Sequence, residues 1–295
     1  MKLRRLDAQP SGLDEAEARA ATQVPMQVRY GSSLLRELLA FVRKTLAIAD
    51  MEVRKLRHDP TELATRAIQP ALWLLIFGQV MARAHTIDTA GIPYLDFLTP
   101  GILAQSVLFI AIFNGISIIW ERDLGIVHKF LASPTPRAAL VLGKALGGGV
   151  RALVQAVVVM GLAFALGVSL RTDAAAMVGL IVFVLLGAAV FSSFSLIIAC
   201  LVKTRERFMG VGQLLTMPLF FASNAIYPTA MMPRGLQVVS HLNPLTYQVD
   251  ALRVILLPRL SAQGQFGLPV DFMVLTGTLV VLVAISARLY PHIAR

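Results

Sequence analysis

The stretch Trp120–Lys144, WERDLGIVHKFLASPTPRAALVLGK, is a charged, proline-bearing interruption between two long apolar runs. Residues 99–119 before it and 152–170 after it carry no charged side chain. Uncharged runs of about 20 residues have the length that crosses a 30 Å hydrocarbon core as a helix. A closed barrel needs alternating apolar and polar residues, and these runs are continuously apolar. Helices satisfy their own backbone groups in lipid. The quoted stretch is therefore a polar connection at a membrane face, and the chain reads as an all-α polytopic membrane protein.

The composition points the same way. The 295 residues are 56% hydrophobic and 15% charged, with a mean hydropathy of +0.70, against roughly 25% charge in ordinary soluble domains. The net charge of +10 does not mark a nucleic-acid binder, because no groove-reading motif accompanies it. Lys and Arg accumulate on the cytoplasmic side of membrane proteins. Cys200 is the only cysteine, so it forms no intrachain disulfide and reads as a small residue in a span. The five histidines are scattered without metal-ligand spacing, and the N-terminus has no signal-peptide pattern.

Working outward, residues 1–30 lack apolar period and read as a disordered cytoplasmic tail. Residues 31–59 begin with Gly31-Ser32-Ser33, a capping run. Leu35, Leu38, Leu39, Val42, Leu46, Ala49, Val53 and Leu56 then recur at three and four, with Arg36, Arg43, Lys44, Arg54, Lys55 and Arg57 on other faces. This is an amphipathic basic helix, either lying in the membrane interface against lipid or belonging to a small soluble domain. Asp59-Pro60 breaks it. Residues 60–295 form the transmembrane domain, with six spans expected at about 67–82, 99–119, 152–170, 174–202, 208–226 and 272–287. Pro218 predicts a kink in the fifth. Between the fifth and sixth, Pro228, Pro233, Pro244, Pro258 and Pro269 punctuate pieces too short to cross. Six spans put both termini on one side. About 22 of the Lys and Arg residues then fall on that side and about 5 on the other, which makes the termini and the quoted stretch cytoplasmic.

Gly143-Lys144 is not a phosphate loop. The motif needs a glycine five residues before the second Gly and Ser or Thr after the Lys, and those positions hold Ala138 and Ala145. Gly143 and Gly147 read instead as positions of close packing or bending at the entry to the third span. No Asp, Glu or Lys is expected deep in a span, where proton- or ion-coupled carriers keep one, so energy for uphill transport would come from another chain. Within the quoted stretch, Glu121, Arg122, Asp123, His128 and Lys129 punctuate Leu124, Ile126, Val127, Phe130 and Leu131 as a short amphipathic helix ended by Ser133-Pro134-Thr135-Pro136. On its residues alone it is a solvated loop helix or a docking helix.

Several motifs in order resemble the permeases of ABC-2 type ABC exporters, most closely the daunorubicin-resistance-type drug-efflux membrane subunits. They are Leu98-Thr99-Pro100-Gly101-Ile102-Leu103, Phe113-Asn114-Gly115, Trp120-Glu121-Arg122-Asp123-Leu124-Gly125, Leu131-Ala132-Ser133-Pro134 and Leu142-Gly143-Lys144. The later half adds Lys203-Thr204-Arg205-Glu206-Arg207-Phe208, Pro218-Leu219-Phe220-Phe221, Pro228, Met232-Pro233, and Asn243-Pro244-Leu245-Thr246-Tyr247 with Asp250, Leu252 and Arg253. The resemblance covers about residues 35–290.

It implies six spans, the interfacial helix, a cytoplasmic coupling helix and short extracytoplasmic re-entrant helices. It implies a plasma membrane location (the bacterial inner membrane), a second permease copy, identical or related, and two ABC ATPase subunits. ATP and Mg would sit on those subunits, with no cofactor on this chain, and membrane lipids would surround it. The coupling role falls on Glu121, Arg122, Asp123, Leu124, Gly125, His128 and Lys129. An exit gate falls on Pro228, Pro233, Asn243, Pro244 and Tyr247, where Asp250 and Arg253 are spaced to pair. Gln105, Asn114, Gln213 and Asn224 are the polar candidates for an apolar substrate cavity, which suits a hydrophobic or amphiphilic cargo, drug-like or antibiotic. Export of a lipid-linked or polysaccharide product, and an ATP-independent channel or carrier, are the competing functions. An enzyme acting on lipid would need a clustered His, Asp or Ser constellation, and none is present.

Overall fold

The computed structural model describes residues 34–57, 60–89, 91–127, 135–258 and 264–290. The tail expected at 1–30 lies outside them, as do His128 and Lys129. The described chain is helical throughout, with no strand. Helix α1 is Leu34–Arg57 and α2 is Pro60–Leu72. A π-helical segment, Trp73–Gly78, continues directly into α3, Gln79–Ala84. Helix α4 is Tyr94–Phe113, α5 is Gly115–Asp123, α6 is Arg137–Ala165, α7 is Ala174–Leu201 and α8 is Arg205–Phe221. After a short 3-10 turn at Thr229–Met231 come α9, Arg234–Leu242, α10, Pro244–Leu256, and α11, Leu268–Leu289.

Five helical stretches are long and apolar enough to cross a membrane: Ala67–Ala84, Tyr94–Asp123, Arg137–Ala165, Ala174–Leu201 and Leu268–Leu289. The fourth matches the expected 174–202. Others differ for identifiable reasons. The third begins at Arg137 instead of 152, because Arg137, Lys144 and Arg151 stand seven apart and lie on one helix face, leaving the remaining faces apolar or glycine. The fifth expected span is shorter than predicted. Helix α8 has 17 residues and stops at Phe221, one turn after Pro218, so the proline lies in its last turn rather than kinking its middle. The last begins at Leu268 instead of 272 and so takes in Asp271, which is fully buried. Asp271 lies in the first turn of its helix and Lys144 in the second turn of α6, near the ends of these helices and not at their middles.

Helix α4 is the axle of the bundle. Leu98, Ile102, Leu103, Ala104, Val107, Leu108, Ala111 and Ile112 are all without solvent exposure, and it packs on α6, α7 and α10. Small residues allow this closeness. A Cβ on Gly101 would overlap the backbone of Ala225. A Cβ on Gly143 would meet Ile48 at 2.6 Å and the Thr45 carbonyl oxygen at 2.9 Å, which seats α1 against the start of α6. Span 1 and α11 lie at the rim, with Ile68, Leu72, Leu75, Ile76 and Val80 exposed on one and Met273, Val280 and Val281 on the other. Exposed side chains of this kind are ordinary where the solvent is lipid.

Span 1 is not a uniform helix. Pro70 has no N–H and its ring presses on the preceding turn. The chain answers by widening into the π turn three residues later, as π segments often do near functional sites. Trp73 on that turn meets Phe77, Phe220 and Phe221 edge-on at centroid distances of 4.9, 5.3 and 6.4 Å. At the opposite end of α6 from Lys144, Arg171 donates to Asp173 at 3.0 Å through both Nε and Nη2. That pairing lowers the Asp173 carboxyl below the ordinary carboxylate range.

Candidate functional site: a bridged helix pair beneath a glutamine-lined cavity

The helix that starts at Tyr94 breaks once, at Asn114-Gly115, and resumes as α5. Three features fix the break. The Ser195 hydroxyl donates to the Ile112 carbonyl. The Ser117 hydroxyl donates to the Asn114 carbonyl at 2.7 Å. Gly115 lies against Ser195 and the Phe208 ring, where a Cβ would not fit.

Beyond the break, α5 packs on α7 and is tied to α6 by two polar bridges through long basic side chains. Arg151 Nη1 donates to Asn114 Oδ1 at 2.5 Å, and Lys144 Nζ donates to Glu121 Oε2 at 2.5 Å. Asn114 and Glu121 are seven apart, as are Lys144 and Arg151, so both bridges lie along one face of each antiparallel helix. Gly148, between the two basic residues, keeps the gap narrow. A Cβ there would meet Ser192 Oγ at 2.9 Å and Asn114 Nδ2 at 3.3 Å. This arrangement also rules on Gly143-Lys144: it lies inside a helix, and the lysine is committed to Glu121.

The expected coupling residues divide. Glu121 is 4% exposed and holds Lys144. Arg122 Nη2 donates to the Lys203 carbonyl at 2.5 Å. Asp123 accepts from Arg205 Nη2 at 2.9 Å, and the Arg205 guanidinium lies 3.3 Å over the Trp120 ring. Glu121, Arg122 and Asp123 thus pin the end of α5 to α6 and to the α7–α8 connection. The expected helix starting at Glu121 is instead the end of α5. Leu124 is 68% exposed and Gly125 takes φ +70°, with nothing near its Cβ position. The chain is helical again at residues 126–127. Lys144, Arg151 and Arg205 were not expected here. The seven-residue spacing of Arg137, Lys144 and Arg151 is the signal that marks two of them.

Directly above the Asn114–Arg151 bridge lies a cavity of about 550 Å³, bounded by α2, α4, α5, α6 and α8. Its polar lining includes Gln69, Gln105, Gln155 and Gln213, one from each of four helices, with Thr65 and Ser106. Phe109, Ile110, Phe113 and Ile116 supply the apolar walls. No described lining residue carries a formal charge. At 1.5 Å per residue, Gln105 stands about 17 Å from the Tyr94 end of its helix and about 27 Å from the Asp123 end. Of the four polar candidates from sequence, Gln105 and Gln213 line this cavity. Asn114 instead accepts from Arg151 beneath it. Asn224 lies at the other end of the bundle, 3.4 Å from Gln265 Oε1, beside a separate pocket of about 380 Å³.

At that far end two of the expected gate residues, Asn243 and Tyr247, are anchored by side-chain hydrogen bonds. The Asn243 side chain caps α10 by accepting from Leu245 N at 3.0 Å and reaches back to the Leu219 carbonyl at 2.7 Å, with Pro244 in the first helical position. The Tyr247 hydroxyl donates to the His241 carbonyl at 2.7 Å. Pro228 and Pro233 stand immediately before the 3-10 turn and α9. Asp250 and Arg253 do not pair as expected. Asp250 accepts from the backbone of Gln265 and Phe266 at 3.0 Å. Arg253 donates to the carbonyls of Asn224, at 2.9 Å, and Phe97, at 3.4 Å, and stacks 3.9 Å over the Phe97 ring.

Residues 43–257 match the model of the ABC-2 type transporter family. The chain belongs to that family. It is the membrane component of a transporter and not an enzyme. It is 28% identical over 217 residues to ycf38 of Cyanophora paradoxa, classed as a transport permease, covering 73% of this chain and 74% of that one. It is 25% identical over 240 residues to the daunorubicin resistance ABC transporter permease protein DrrB1 of Streptomyces coeruleorubidus, covering 79% and 81%. The inner membrane transport permease YadH of Escherichia coli K12 is 26% identical over 195 residues, covering 65% and 73%.

Proposed function

We propose that this ABC-2 permease is the membrane subunit of an ATP-driven exporter that takes a hydrophobic or amphiphilic substrate from the cytoplasm or inner leaflet into the glutamine-lined cavity. Two permease copies, identical or related, act with two ABC ATPase subunits that bind ATP and Mg. The chain lies in a bacterial inner membrane with both termini cytoplasmic. Helix α8 makes the sixth crossing, its 17 residues spanning about 25 Å, and α9 and α10 form the re-entrant exit gate.

The observation that carries this reading is the pair of bridges between α5 and α6. They join the connection at 124–136 to the floor of the cavity in one stiff unit, because Gln155 stands one turn past Arg151 and Phe113 one residue before Asn114. A push on the connection tilts that unit about the Asn114-Gly115 break and changes the cavity walls, the two-state behaviour that alternating access requires. A drug-like or antibiotic substrate is favoured by the likeness to the daunorubicin resistance permease.

Leu124, exposed beside Gly125, is the docking position to test. Leu124→Arg in the full-length permease, co-purified with its ATPase, is expected to abolish substrate stimulation of ATP hydrolysis while leaving the melting temperature within about 1 °C, since it removes no buried contact. Unchanged stimulation would remove Leu124 from the docking surface.

A further inference from the structure

Two cavities follow one another along α4, and a close backbone contact stands between them. Gln105 lines the central cavity and Phe97 the outer pocket of about 380 Å³. Gly101 is midway, one turn or about 6 Å from each. There the backbone of Ala225 lies so near that a Cβ on the glycine would overlap it. The facing wall keeps the same order, with Gln213 on the central cavity, Asn224 on the outer pocket and the buried Thr216 and Phe220 between them. Residues 222–226, which carry Ala225, are not helical, yet none is more than 7% exposed. Backbone polar groups buried outside a helix need partners of their own. Two carbonyls of this segment, one on either side of Ala225, find them on side chains of other elements. The Tyr94 hydroxyl, from the start of α4, donates to the Ile226 carbonyl at 3.1 Å. Arg253 Nη2, from α10, donates to the Asn224 carbonyl at 2.9 Å. The Arg253 side chain is buried and stacked on Phe97, so it is fixed where it donates. A helix parts only by breaking its own ladder. A segment held at two carbonyls by side chains of other helices detaches when those two bonds break. Arg253 also rides on α10, so a shift of α10 withdraws one of them.

Resting on the reading of the central cavity as the transport site, we propose that residues 222–226 are the barrier between that cavity and the outer pocket, and that Tyr94 and Arg253 are the positioning residues that latch it against Gly101. Passage outward requires both hydrogen bonds to part, and α10 acts on the path through Arg253.

The test reads the barrier as thiol access, in the full-length permease carrying Cys200→Ser and Phe109→Cys, the latter in the wall of the central cavity. Membrane vesicles of each orientation receive a membrane-impermeant maleimide, so that the two faces are probed separately. The parent is expected to react from the cytoplasmic face, and about a hundred-fold more slowly from the outer face. Tyr94→Phe removes one hydroxyl and keeps the ring. It should raise the outer-face rate about five-fold, the size expected from one hydrogen bond lost between neutral groups. Adding Arg253→Gln should bring the rise to about twenty-fold or more, because a charge-assisted bond is lost as well. Arg253→Lys in its place, which keeps a cationic donor, should restore most of the difference. The cytoplasmic-face rate should stay the same in every variant, which a general loosening of the fold would not allow. Outer-face rates equal to the parent's, with the cytoplasmic-face reaction intact, would overturn the latch and keep the cavity as the transport site. Equal rises from both faces would assign Tyr94 and Arg253 to stability alone and overturn the latch as well. Reaction from neither face in the parent would overturn the transport-site reading together with it.

Discussion

At the scale of single residues, the pair Glu121–Lys144 is the decisive feature, with side-chain exposures of 6% and 4%. A buried pair stripped of one partner leaves an uncompensated charge, at a cost of about 3–5 kcal/mol. Lys144→Met is therefore expected to lower the unfolding free energy by about that amount, measured by denaturant unfolding in nanodiscs. The swap Glu121→Lys with Lys144→Glu should recover most of it, because the bridge re-forms with its polarity reversed. A stability loss in the swap equal to that of the single variant would show that the site depends on something other than the pair. WERD reads in sequence as an exposed charged run, and in the structure Glu121 is instead buried against Lys144. Its partner lies 23 residues away, beyond a proline-bearing connection, and only the helix packing brings the two together. Asn114 misleads in the same way. A polar residue in a span reads equally well as cavity lining or as a helix-to-helix bridge, and Arg151 decides between them.

At the scale of elements, long uncharged apolar runs make the spanning helices legible and leave their ends uncertain. The span from Ala174 was readable almost to the residue because Asp173 and Lys203 bracket an uncharged run. The start of α6 is not, because a basic residue reads as a mark of water, whereas the seven-residue spacing of Arg137, Lys144 and Arg151 places them along one helix face. Pro70 was legible as a residue, but not its consequence, the π turn that carries Trp73 toward Phe220 and Phe221. Removing the proline tests that turn. A proline inside a helix costs about 3 kcal/mol relative to alanine, so Pro70→Ala should raise the melting temperature. It should also lower the transport rate several-fold, because Gln69 and Thr65 lie on the same helix and line the cavity. Higher stability with unchanged transport would mean that the π turn has no part in the cycle.

For the whole molecule, family membership and the multi-pass helical bundle were within reach of the sequence, since ordered motifs and composition are local properties. The arrangement of polar groups was not, because the cavity draws Gln69, Gln105, Gln155 and Gln213 from four separate helices. In the proposed function this chain provides a path, and force arrives from an ATPase through the α5–α6 unit. The test is reconstitution of the full-length permease in liposomes, alone and together with its cognate ABC ATPase, following release of a substrate loaded at the cytoplasmic face. Transport is expected only when both chains and ATP–Mg are present, and is expected to be lost in the Lys144→Met variant with the ATPase still bound. Substrate flux at the same rate from the permease alone, without ATP, would contradict it and make the chain a channel or carrier.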